Sequence, residues 1–188
     1  TFSLFEGSCD SISPSMTAAV NNLVANDTMV FVSSGNQGSG SSMAIPACIS
    51  QSTSVGAVWD AERPETSVLG CTDSDIAAGK PTCFTNSNDT LDLYAPGAPI
   101  KSSGNGGATS TYFGTSMSSP MTAGCIASLR AWRPDVSIAE LEAVLKASPV
   151  TVTDPKNNLT FPLLDCLDAK NRLDAVPLPH FADGFELC

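Results

Sequence analysis

The stretch Gly114-Thr115-Ser116-Met117-Ser118-Ser119-Pro120 decides how this chain is read. Ser116 follows a Gly-Thr pair and opens a run of small and apolar residues reaching Trp132, among them Met117, Met121, Ala123, Cys125, Ile126, Ala127 and Leu129. Residues that are apolar on nearly every side predict a buried helix over 116–132. A serine in the first turn of such a helix lies beside unpaired N–H groups and a partial positive charge, which stabilise an oxyanion formed there. Serine is also a preferred helix cap. On this stretch alone both readings stand, a nucleophile or a plain cap.

A second stretch lies upstream. TMVFVSS is apolar and rich in strand-forming residues, and it ends in Ser33-Ser34-Gly35-Asn36 and the turn GNQGSG. It reads as a buried strand. Ligand sites gather beyond the carboxyl ends of parallel strands. An asparagine there can aim its amide N–H at a developing negative charge, and it can equally be a turn residue chosen for its backbone tolerance.

The rest of the chain supplies the frame. TFSL predicts a short strand, TSVGAVW a second buried strand, and LDLYAPG a strand running into a turn. Ser13 followed by Pro14, with Met16, Val20, Leu23 and Val24 at helical spacing, predicts an amphipathic helix over 14–26. Ser137 and Glu140 form a capping-box pattern ahead of the stripe Ile138, Leu141, Val144 and Leu145. LTFPLLDCLDA reads as a last pairing element, and 61–90 as a polar surface loop. Strands without apolar–polar alternation, mixed with helices, indicate a mainly parallel sheet covered on both faces, hence a three-layer α/β/α fold.

At 188 residues, with 42% hydrophobic residues, the chain suits a single packed domain. Nineteen acidic against nine basic residues leave a net charge of −10, which argues against nucleic acid as a partner. No apolar run is long enough for a membrane span. Seven cysteines favour an oxidising compartment, hence a secreted or extracytoplasmic protein. Cys71 and Cys83 bracket one polar loop and are the first expected disulfide, Cys9 and Cys48 the second. Cys125 reads as a buried small residue. No CxxC pair occurs and His180 is the only histidine, so no structural zinc site is assigned. The chain opens on TFSLFEG without an initiator methionine, so Thr1 is not expected to be the native start.

Taken in order, SSGN, SVGAV, LDLYAPG and GTSMSSP resemble the subtilase family of serine proteases, over about Thr1 to Leu173. The resemblance implies roles residue by residue. Ser116 falls on the nucleophile and Asn36 on the side-chain donor of the oxyanion hole, with the Ser116 backbone N–H as second donor. Ser3, Leu4 and Phe5 fall on the segment that pairs with the substrate backbone. Ser33, Ser34 and Gly35 fall on one wall of the pocket for the residue before the scissile bond, and Ala44 near its floor. Phe5 stands where the family has glycine, which narrows the expected access along that wall. Met121 replaces a non-catalytic histidine.

The domain expectation is 1–173 as the C-terminal portion of a subtilase catalytic domain and 174–188 as an irregular tail. The family's triad order is Asp, His, Ser, yet neither the aspartate turn nor the His-Gly-Thr segment occurs here. His180 follows the serine in a proline-flanked tail and reads as an ordinary tail histidine. The triad partners are therefore expected before Thr1, and residues 1–188 alone are expected to be poorly soluble or partly unfolded, and without peptidase activity. The alternative is an inactive homologue that keeps a peptide-binding role. An esterase built on G-x-S-x-G is excluded, because no serine here has glycine at both −2 and +2. The expected partner is a peptide or protein substrate of a monomeric enzyme. No cofactor is assigned; structural calcium is common in the family, but no metal ligands are named. Asn26, Asn88 and Asn158 head N-x-T triplets, acceptors in a eukaryotic secretory route.

Overall fold

A computed structural model describes residues 3–175. The elements run β1 (Leu4–Phe5), α1 (Pro14–Ala25), β2 (Phe31–Ser33), β3 (Met43–Ala44), β4 (Thr53–Trp59), β5 (Thr66–Val68), β6 (Cys71–Asp73) and β7 (Leu93–Ala98). They continue with β8 (Ile100–Ser103), β9 (Thr109–Tyr112), α2 (Thr115–Trp132), α3 (Ile138–Lys146), β10 (Thr151–Thr153), β11 (Thr160–Pro162) and α4 (Cys166–Ala175).

The centre is a parallel sheet of order β2-β4-β7, with Phe31 opposite Thr53 and Val55 opposite Leu93. Every residue of β4 is buried, as expected for a strand covered on both faces. Its side chains alternate between those faces. Val55 joins Leu93, Ala95 and the partly buried Phe31 on one side, and α2 lies against all three strands. Val58 joins Tyr94, Val20 of α1, Met43, Ile49 and Phe161 on the other. Helices on both sides of a parallel sheet make the fold three-layer α/β/α.

Local signals are realised where their partners are near in sequence. Ser137 accepts from the Glu140 N–H while the Glu140 carboxylate accepts from the Ser137 N–H, so the capping box is complete. Ser13, by contrast, makes no side-chain cap bond; Pro14 alone marks the start of α1. Only Val20 of that helix is buried, and Met16 and Leu23 are exposed.

Four expectations need correction. Cys125 is bonded to Cys166, joining α2 to the start of α4, and the Cys9–Cys48 and Cys71–Cys83 pairs form as expected. The helix over 116–132 is not buried all round: Met121 and Trp132 are 39% and 57% exposed. One face of α2 meets the sheet, and α3 and α4 pack beside it through Cys125, Ile126 and Leu129, which leaves Met121 and Trp132 at the surface. The stretch LTFPLLDCLDA is not one pairing element, because the Asp165 carboxylate accepts from the Asp168 N–H and turns the chain into α4. Within 61–90, Thr82, Thr85, Asn86, Ser87 and Asn88 are buried rather than on a surface loop. Thr82 Oγ1 donates to the Ala57 carbonyl, Thr85 Oγ1 accepts from the Ala57 N–H, and Ser87 Oγ donates to Asp154. Burial also closes off Asn88 as a glycan acceptor, whereas Asn26 and Asn158 are exposed.

Candidate active site

The site forms where the carboxyl end of β2 meets the amino end of α2. Gly114 precedes the helix at φ +148°, a conformation that L side chains rarely adopt. A Cβ there would stand 3.2 Å from Asn36 Nδ2, so glycine lets the two segments close. Thr115 is buried and Ser116, one residue on, is exposed. The Ser116 hydroxyl therefore faces solvent from the first turn, where the helix field is strongest. Pro120 lacks the N–H that would bond the Ser116 carbonyl within the helix.

Thr115 ties this turn to the β2 loop. Its N–H and its hydroxyl both donate to Asn36 Oδ1, at 2.9 and 2.8 Å. Its Oγ1 accepts from the Gly35 N–H at 3.3 Å, and its carbonyl accepts from Ser33 Oγ at 2.9 Å. With Oδ1 occupied on the Thr115 side, the Asn36 amide presents its Nδ2 donors away from it. Sequence reading missed Thr115; its one signal was a hydroxyl residue directly before Ser116.

A cleft of about 370 Å³ opens here, lined by Ser33, Gly35, Asn36, Gln37, Ala44, Ile45, Thr115 and Ser116 among others. Of the residues expected to contact substrate, Ser33, Gly35 and Ala44 line it. Ser34 does not; it is buried behind the wall, its carbonyl accepting from the Ala44 N–H at 2.9 Å. Leu4 and Phe5 flank the cleft through the β1–β3 pairing, Leu4 opposite Ala44 and Phe5 opposite Met43. The Ser3 carbonyl accepts from the Ile45 N–H at 3.2 Å. Phe5 packs against the core cluster that includes Met43, so its bulk is absorbed by the interior rather than by the cleft.

Among the described residues no charged side chain lines the cleft. His180 lies outside the described residues, so no imidazole faces Ser116 among them. Among the described residues no group of three or more His, Cys, Asp and Glu side chains is placed to hold a metal.

This chain is similar to several known proteases. A chain described as Subtilisin-like protease 2 of Arthroderma otae is 34% identical over 160 residues, covering 82% of this chain and 31% of its own length. The protein of the same name from Trichophyton rubrum is 36% identical over 147 residues, 76% of this chain and 28% of its own. An Intracellular serine protease of Paenibacillus polymyxa is 33% identical over 122 residues, 62% of this chain and 32% of its own. The chain thus spans about a third of the length of the curated relatives it matches. Among solved structures, the prenylagaramide maturation protease PagA superposes with a TM-score of 0.72 at 23% identity, covering 92% of this chain and 60% of PagA. The patellamide maturation protease PatA superposes with a TM-score of 0.68 at 22% identity, covering 93% and 61%. A sequence model of the subtilase family matches residues 2–163, and with that extent of agreement this chain belongs to the subtilase family.

Proposed function

We propose that this chain carries the nucleophile and oxyanion hole of a serine endopeptidase. The reading rests chiefly on the Asn36–Thr115 contact: it leaves the Asn36 N–H donors free next to an exposed Ser116 hydroxyl at a helix amino end. Ser116 Oγ attacks the scissile carbonyl and gives its proton to a general base. The carbonyl oxygen takes the negative charge and is held by Asn36 Nδ2 and the Ser116 N–H. The C–N bond then breaks, the base returns the proton to the leaving amine, and water later releases the acyl group from Ser116. The general base and its orienting aspartate are supplied by residues outside the described ones.

An uncharged cleft favours an apolar or uncharged residue before the cut. The three disulfides among the described residues support an oxidising, extracytoplasmic setting. The enzyme acts as a monomer on peptide or protein substrates.

The test is labelling of the full-length polypeptide with a serine-directed peptide phosphonate. Labelling at Ser116, abolished in Ser116→Ala, is the expected result. A folded full-length protein that takes no label would instead favour the inactive, peptide-binding homologue.

A further inference from the structure

Asn86 has a fully buried side chain, and all of its polar atoms are used on one loop. Its Oδ1 accepts from the N–H groups of Gln37 and Ser39, both at 3.0 Å. Two backbone donors on one atom fix which end of the amide is oxygen. Nδ2 must then face acceptors, and it does: the Ser34 carbonyl at 3.2 Å and Gln37 Oε1 at 2.6 Å. The Asn86 N–H donates to the Gly35 carbonyl at 2.9 Å. The approach is so close that a Cβ on Gly35 would lie 2.3 Å from Asn86 Nδ2.

Residues 34, 35, 37 and 39 are thus all held from behind by one side chain and its backbone. Asn36 sits between them, with its own amide turned forward to Thr115. The Gln37 amide is fixed as well. Its Oε1 is engaged by Asn86, so its Nε2 is the end left toward the cleft, which Gln37 lines.

We propose that Asn86 is a positioning residue for the oxyanion donor Asn36, and that it orients Gln37 so that the cleft rim presents amide N–H donors. Both roles rest on the serine-peptidase reading above. The rim then favours a substrate side chain carrying an oxygen acceptor over a cationic one of similar length.

The experiment compares Asn86→Leu and Asn86→Asp with the wild type in the full-length polypeptide, on matched peptides with Gln or Lys before the cut. Misplacing a catalytic group by about 1 Å costs on the order of 100-fold, so Asn86→Leu is expected to lower kcat by roughly 10- to 100-fold with little change in KM. It should also erase the preference for Gln over Lys. Asn86→Asp keeps an acceptor for the Gln37 and Ser39 N–H groups and loses the donor to the Ser34 carbonyl, while Gln37 can turn its amide end for end to donate to the new oxygen. It should recover part of kcat while shifting the preference toward Lys. A selectivity unchanged in both variants, or a kcat in Asn86→Leu equal to wild type, would overturn the proposal.

Hydrogen exchange keeps this separate from the peptidase reading. In Asn86→Leu the Gln37 and Ser39 amides should exchange about 10-fold faster or more, each having lost a partly buried hydrogen bond. Those of β4 and α3 should keep their rates, and Asn86→Asp should retain the protection. If the wild type hydrolyses nothing and takes no phosphonate, the peptidase reading fails, and unaltered exchange at Gln37 and Ser39 would still remove Asn86 from its positioning role. Should Asn86→Leu not fold, the Asn86→Asp selectivity and exchange data decide alone.

Discussion

Asn36 Oδ1 accepts two hydrogen bonds from one residue, Thr115, through its N–H and its hydroxyl. One amide oxygen is thereby saturated by a residue adjacent to Ser116, and the orientation of the amide at the site follows. The hydroxyl half of this contact can be removed without touching either proposed catalytic group.

Thr115→Ala is expected to lower kcat about 10-fold, the loss of one hydrogen bond that orients a transition-state donor. Thr115→Ser keeps the hydroxyl and should restore most of it. Removing the donor itself, in Asn36→Leu, should cost roughly 10²–10³ in kcat, the magnitude already known for this donor in the subtilase family. Steady-state kinetics of the full-length enzyme check the order, with KM nearly constant across the series.

Gly114→Ala should be more damaging than an exposed glycine substitution. The residue sits at φ +148° and a methyl group would approach Asn36 Nδ2 at 3.2 Å. We expect a loss of about 1–3 kcal/mol in stability from backbone strain, with a further drop in labelling of Ser116. Thermal unfolding and the phosphonate labelling rate measure the two parts separately.

Asp154 predicts an acid limb. Its carboxylate is fully buried, which by itself would raise its pKa, but hydrogen bonds outweigh that and hold it below the ordinary carboxylate range. Ser87 Oγ and the Tyr94 hydroxyl donate to it at 2.6 and 2.5 Å, the Lys156 N–H donates at 2.9 Å, and Lys156 Nζ lies 2.9 Å away. Burial and the Asp154 charge push the Tyr94 phenol far above its usual value, so it remains a donor. A carboxyl group with a depressed native pKa contributes stability that is full above its unfolded value of about 3.9 and is lost as pH falls through the native value. Asp154→Asn should cost about 3 kcal/mol at neutral pH and flatten the loss of stability below about pH 4. A variant with an unchanged acid limb would contradict this. The effect should reach the cleft, since Asn157 in the same turn donates to both Ser87 Oγ and the Gly40 carbonyl, each at 3.0 Å.

The Cys125–Cys166 bond closes a separation of 41 residues. A crosslink over that span stabilises by about 4 kcal/mol through the unfolded chain. The double variant Cys125→Ala/Cys166→Ala should lower the unfolding midpoint measurably while leaving α4 helical, held by Ala169 and Leu173 in the cluster with Leu141 and Leu145. Denaturant titration with circular dichroism tests both statements.

Features whose partners are close in sequence, or whose pattern is unbroken, were legible before the fold was known. The fully buried β4 follows from TSVGAVW, the capping box from Ser137 and Glu140, and the candidate site from two motifs whose residues meet where β2 ends and α2 begins. What stayed hidden depends on long-range contact. An apolar pattern all round α2 cannot say which face has a neighbour, so the exposure of Met121 and Trp132 was missed. Cys125 could not be paired without knowing that α4 starts beside α2. Asn86 lay in a run that reads as polar loop, because nothing nearby in the sequence reveals that its amide reaches back to Gln37 and Ser39.

The Ser33 Oγ to Thr115 carbonyl bond joins residues 82 positions apart. Neither strand nor helix can order its end of the cleft by itself, and the loop-closure entropy must be met by the sheet and its packing first. The cleft is consequently expected to form late in folding. In a refolding time course, protection of the Gly35 and Thr115 amides should develop with the slowest phase, after that of α3, whose capping box is local. An intermediate that already shows native helix content would then still be unable to bind a peptide.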